Sequence, residues 1–162
     1  MAVATRSASH RASASGRLLL ALSHDELGVI FDGLADPLRP AVAVALSSTC
    51  LGLRTPLRAA LQVLKERHER AAALCRKVAT IDDLGWRRCS CAVLRGAEVL
   101  GWTNRGLNAA DMTTLGMLLS KCLPKLRELR LHGNLIGDAG VQALCAGLGR
   151  DDAPSLNSIS LT

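Results

Sequence analysis

Aromatic residues are almost missing from this chain of 162 residues, which has no tyrosine, one phenylalanine (Phe31) and two tryptophans (Trp86 and Trp102). Its core has to be made of leucine, valine, isoleucine and alanine. That suits helices packed on helices, or a short-strand repeat, better than an aromatic-rich sandwich. The same scarcity argues against a single-stranded nucleic-acid surface, where bases stack on aromatic rings. Long apolar runs are missing too, and none reaches the ~18 residues that span a bilayer. No Cys-x2-Cys pair occurs among the six cysteines at 50, 75, 89, 91, 122 and 145, and the histidines at 10, 24, 68 and 132 lack ligand spacing. The Cys-x-Cys of Cys89 and Cys91 would need two further ligands from afar, so neither a metal nor a cofactor is assigned. The cysteines read as small buried apolar residues of a reducing compartment.

The net charge of +6 sits in the front half. Residues 1–80 carry eleven Lys and Arg against six Asp and Glu, whereas residues 81–162 carry nine against eight. With no dense basic run, this excess reads as a solvated surface, and neither nucleic acid nor membrane is expected as a partner. Residues 1–17 read as a disordered basic arm, and the chain as cytoplasmic. The alternative is organellar, because residues 1–22, rich in Ser, Ala and Arg with no acid, have the composition of a transit peptide.

From Leu18 the text becomes helical. Ser23 and Glu26 form a capping box, and Leu27, Ile30, Phe31 and Leu34 share one helix face that ends at Asp36-Pro37. A second helix follows Pro40 through Val44 and Leu46 toward Leu51. Thr55-Pro56 predicts the start of a third, with Leu57, Leu61, Leu64, Ala71, Leu74 or Cys75, and Val78 as its stripe. His68 interrupts that stripe and reads as a half-buried helix residue. Asp82 and Asp83 are better placed at a helix N-terminus than as an acid pair.

The stretch LPKLRELRLHGNLIGDAGVQALCAGL, Leu123 to Leu148, alternates like a strand and then steps like a helix. Sliding it back by 29 residues sets Leu131 on Trp102, Leu129 on Leu100, Ile136 on Leu107, Val141 on Met112, Leu144 on Leu115 and Leu148 on Leu119. Sliding it forward by 30 sets Leu126 on Leu156, Leu129 on Ile159 and Leu131 on Leu161. Asn134 is placed to bond backbone groups at the turn, Gly133 and Gly137 to ease the reversal, and Asp138 to cap the following helix.

Leu126-x-x-Leu129-x-Leu131-x-x-Asn134, with Ile136, Val141, Leu144 and Leu148 behind it, resembles the leucine-rich repeat of the ribonuclease-inhibitor type. The resemblance implies an α/β fold: a short solenoid of strand–turn–helix repeats over residues 94–162, about two and a half copies. Since the copies end inside a strand, a fragment of a longer solenoid is expected. The segment LSHDELGVIFDGLADPLRPAVAVALSSTCLGLR resembles a diverged F-box, with Glu26, Leu27, Ile30, Phe31 and Leu34 in its first part and Leu46, Cys50 and Arg54 in its second. This gives a small helical F-box-like segment at 18–54 and a linker helix with an irregular segment at 55–93.

That resemblance implies docking on a Skp-type adaptor of a cullin ubiquitin ligase through Leu27, Ile30, Phe31 and Leu34, while the repeats hold a substrate. The alternative is that those four residues face the 57–78 helix. Glu128, Arg130 and His132 are the outward strand positions that would meet a protein partner, flanked by Val99, Gly101 and Thr103 and by Ser158, Ser160 and Thr162. The sequence reads as a protein–protein interaction module and not as an enzyme. It has no glycine-rich phosphate loop and no nucleophile–base signature. A GTPase-activating or other regulatory role, with Arg105 as the only candidate arginine, is one alternative. A structural fragment with no activity of its own is another.

Overall fold

A computed structural model describes residues 21–48, 51–79, 90–148 and 155–161. The basic arm at 1–17, the Asp82 and Asp83 pair, Trp86, Cys50, Cys89 and Thr162 lie outside them. The elements are α1 (His24–Leu34), α2 (Ala41–Ser48), α3 (Leu51–Arg54), α4 (Arg58–Val78), α5 (Cys91–Gly96), β1 (Val99–Gly101), α6 (Ala109–Lys121), β2 (Glu128–Arg130), α7 (Gly137–Gly147) and β3 (Ser158–Ser160). The chain divides into two compact units. One holds Pro40–Lys65 with the chain up to Asp36, and the other holds Pro37–Arg39 with Glu66 onward.

In the first unit, α1 opens with the expected capping box. Ser23 Oγ accepts from the Glu26 amide at 3.2 Å, and the Glu26 carboxylate accepts from the Ser23 amide at 2.8 Å. Leu27 and Phe31 pack with Ala43, Leu53, Leu57 and Leu64 in one apolar cluster. Thr55 does not cap a helix starting at Pro56. The Leu57 amide still donates back to the Leu53 carbonyl, so the turn carries on from α3 and α4 begins at Arg58.

In the second unit, the three strands form one parallel sheet in the order β1-β2-β3. Leu100 pairs with Leu129 and Leu129 with Ile159, positions that the 29- and 30-residue slides superpose. The expected solenoid is nevertheless corrected. The chain is mostly helical, and each described strand is only three residues long in a sheet left open at both edges. Alternation lasts only from Leu129 to Leu131, too little for a longer strand, while good helix formers fill the stripes around it. The sheet, with α6 and α7, belongs to a largely helical protein.

The core of this unit gathers Leu100, Trp102, Leu107, Met112, Leu115, Leu118, Leu126, Leu129, Leu131 and Leu144 with Ala71, Leu74 and Val78 of α4. α6 and α7 touch backbone to backbone. A β-carbon on Gly147 would stand 2.5 Å from the Gly116 carbonyl carbon, so only glycine fits there. α6 carries a capping box of Asn108 and Asp111, and Asp111 also pairs with Lys77 of α4. By contrast, Asp138 makes no cap. α7 has Ile136 at its N-cap with no side-chain bond, and Asp138 serves only as an acid in the first turn, where the helix dipole favours it.

Candidate functional site: the outer face of the sheet

Parallel strands send successive side chains to opposite faces. Leu129 and Leu131 turn inward and are fully buried, which leaves Glu128, Arg130 and His132 on the other side. In register, Glu128 lies between Val99 and Ser158, and Arg130 lies between Gly101 and Ser160. Two rows thus cross the sheet. Val99 is half exposed and Arg130 exposed, while Glu128 and His132 are half-buried.

Charge on this face is ordered. Arg130 Nε donates to Glu128 Oε1 at 2.7 Å. The bond holds the Glu128 carboxyl below its ordinary range and raises the Arg130 guanidinium, so both stay charged at neutral pH. Small neighbours, Gly101 and Ser160, leave the guanidinium edge open on both flanks. The face offers a fixed ion pair, an apolar rim at Val99 and two serine hydroxyls.

Asn134 holds the ends of β1 and β2 together. Its Oδ1 accepts from the amides of Arg105 at 2.9 Å and Leu107 at 3.0 Å, and its Nδ2 donates to the carbonyls of Trp102 and Leu131, both at 2.7 Å. The expected turn role is thus realised, but across two turns instead of one. Gly133, at φ +68, occupies the place that Asn104, at φ +55, holds one turn earlier; a β-carbon at Gly133 would strike the Asn104 side chain. The Asn104 amide donates to the His132 carbonyl at 2.9 Å, which extends the ladder past the strands.

Leu126, Leu129, Leu131, Ile136 and Leu144 are buried, and Val141 and Leu148 pack half-buried against the same cluster. On α1, Leu27 and Phe31 are buried in the core of the first unit and Leu34 packs at its edge, so Ile30 alone of the four adaptor candidates reaches the surface. Leu27 and Phe31 share their cluster with Leu57 and Leu64, residues of the same unit. Arg105 sits half-buried in the turn after β1. His68 Nδ1 lies 2.7 Å from the Pro37 carbonyl, which can only accept, so that nitrogen carries the proton.

Sequence reasoning missed one close pair. Cys75 Sγ of α4 and Cys91 Sγ of α5 are 3.8 Å apart. Cys75 belonged to the α4 stripe and Cys91 to the Cys-x-Cys, but no local pattern links them. Among the described residues no cluster of three or more His, Cys, Asp or Glu could hold a metal, and no helix is long and apolar enough to cross a membrane. Compared with family models, curated proteins and solved structures, the chain matches none.

Proposed function

We propose that this protein is a protein-binding module whose contact surface is the outer face of the β1–β2–β3 sheet, centred on Arg130. The observation that carries the reading is the ordered Glu128–Arg130 pair flanked by Gly101 and Ser160, on a face backed by fully buried leucines. A rigid backing keeps the ordering cost of binding low, and an arginine with open flanks is a favoured anchor at interfaces. Its partner presents a carboxylate to the guanidinium and a small apolar group to Val99. The compartment belongs to the same proposal. It is cytoplasmic, in keeping with thiols at the described cysteines, with the organellar alternative resting on the composition of residues 1–22.

Affinity capture with quantitative mass spectrometry tests this reading, using the wild type, Arg130→Glu and, as a control at an exposed position of α4, Arg76→Glu. A set of proteins lost with Arg130→Glu and kept with Arg76→Glu supports the face. Equal recovery by all three baits removes it.

Docking on a Skp-type adaptor is the second reading, favoured by the exposed apolar pair Val29 and Ile30 on α1. Ile30→Asp is the discriminating substitution, because Phe31→Ala would disturb the core. Purified adaptor recovered by the wild type and lost with Ile30→Asp supports it; no recovery by either ends it.

A further inference from the structure

Two thiols on separate helices meet in the second unit. Cys75, 4% exposed, lies one turn before the C-terminal end of α4, and Cys91, partly exposed, is the first residue of α5. They are sixteen positions apart in sequence, and their sulfurs are 3.8 Å apart. A disulfide is ~2.05 Å long, so the sulfurs need to close by about 1.7 Å, a side-chain adjustment at a helix end. Both residues pack in one core cluster, so neither helix has to be brought from elsewhere.

We propose that Cys75 and Cys91 are a redox modification site, closing to a reversible disulfide that ties the end of α4 to the start of α5. The oxidant is a small disulfide of the glutathione class. The Cys91 thiolate, the more accessible of the two, attacks one sulfur of that disulfide; a Cys91–glutathione bond forms, the glutathione S–S bond breaks, and one glutathione thiolate leaves. The Cys75 thiol then loses its proton to solvent and attacks the Cys91 sulfur, which forms the Cys75–Cys91 bond and expels the second glutathione thiolate. The protein pair gives up two electrons and two protons, and the oxidant becomes two thiols.

The other described cysteines are placed differently. Burial pushes the Cys122 thiol up in pKa and withdraws it from exchange, and Cys145 is exposed on α7. The disulfide closes the chain between α4 and α5 into a loop, which limits the unfolded ensemble and steadies α5. Only two residues separate α5 from β1, the strand that carries Val99. The site stands on its own chemistry and does not depend on the proposed binding face.

The test is to equilibrate the full chain in glutathione buffers of graded ratio, block remaining thiols by alkylation, digest it and map linked peptides by mass. The expected result is a peptide pair joined through Cys75 and Cys91 that grows as the buffer becomes oxidising and vanishes with excess reductant. The thermal midpoint of the oxidised chain rises above that of the reduced chain, and the rise is absent in Cys91→Ser. Cys91 recovered only as alkylated or glutathione-bound peptide at every ratio, or joined to a cysteine other than Cys75, overturns the proposal. The mapping uses the wild type, so it decides the matter whether or not Cys91→Ser folds.

Discussion

The Asn134 side chain donates to the carbonyl of Trp102, thirty-two residues earlier, at 2.7 Å. The oxygen of the same side chain also accepts hydrogen bonds from two backbone amides in the preceding turn. One polar side chain therefore sets the spacing of two strands whose own ladders are only three residues long.

Asn134→Ala removes these bonds together and leaves half-buried backbone groups without partners. It should cost on the order of 2–4 kcal/mol. Asn134→Asp keeps the acceptor and loses the donor, so it should fall between the wild type and alanine. Urea unfolding followed by circular dichroism ranks the three.

Leu129 and Ile159 are register partners on the same strand face, yet Leu129 is 0% exposed and Ile159 37%. Leu129→Ala should cost ~2–5 kcal/mol, because it empties a closed site. Ile159→Ala should cost well under half as much. Equal losses in denaturant melts would mean that the burial difference does not govern stability here.

Glycine tells the helices apart. Gly147→Ala pushes a methyl group against the backbone of Gly116 and should destabilise by ~1–3 kcal/mol. Gly28→Ala, inside α1 with open space around it, should stabilise by ~0.5–1 kcal/mol, because it restricts the unfolded chain. The two thermal midpoints are expected to move in opposite directions.

Acid sensitivity follows from two carboxylates, the exposed Glu26 and the half-buried Glu128. Backbone and side-chain hydrogen bonds from Ser23 lower the Glu26 carboxyl, and the bond from Arg130 lowers Glu128. A depressed folded value means that the contribution is fully present above the unfolded carboxylate range and is lost as pH falls through the folded value. Nuclear magnetic resonance titration should place both midpoints below the ordinary carboxylate range. Ser23→Ala should return Glu26 toward that range and leave Glu128 in place.

Much of the local structure was legible because neighbouring residues carry it. Ser23 with Glu26, and the stripe from Leu57 to Val78, each need only helical geometry. The pairing of Leu100 with Leu129 and of Leu129 with Ile159 was legible as spacing. Strand length was not, because leucine alternation shows where a strand lies and not how far its hydrogen bonds persist. The inward turn of Leu27 and Phe31 was not legible either, since an apolar helix face has the same spacing whether it meets its own core or a partner. The Lys77–Asp111 pair and the Cys75–Cys91 contact join residues thirty-four and sixteen positions apart, and no local signal announces either.

The most direct test of the binding-face account is site-specific photo-crosslinking. A photoreactive residue replaces Val99 on the sheet face in one chain and Val42 on α2, of similar exposure, in another. The account predicts a discrete protein adduct from position 99 that added wild-type chain competes away, and none from position 42. No discrete adduct from position 99, or the same adducts from both positions, would contradict it.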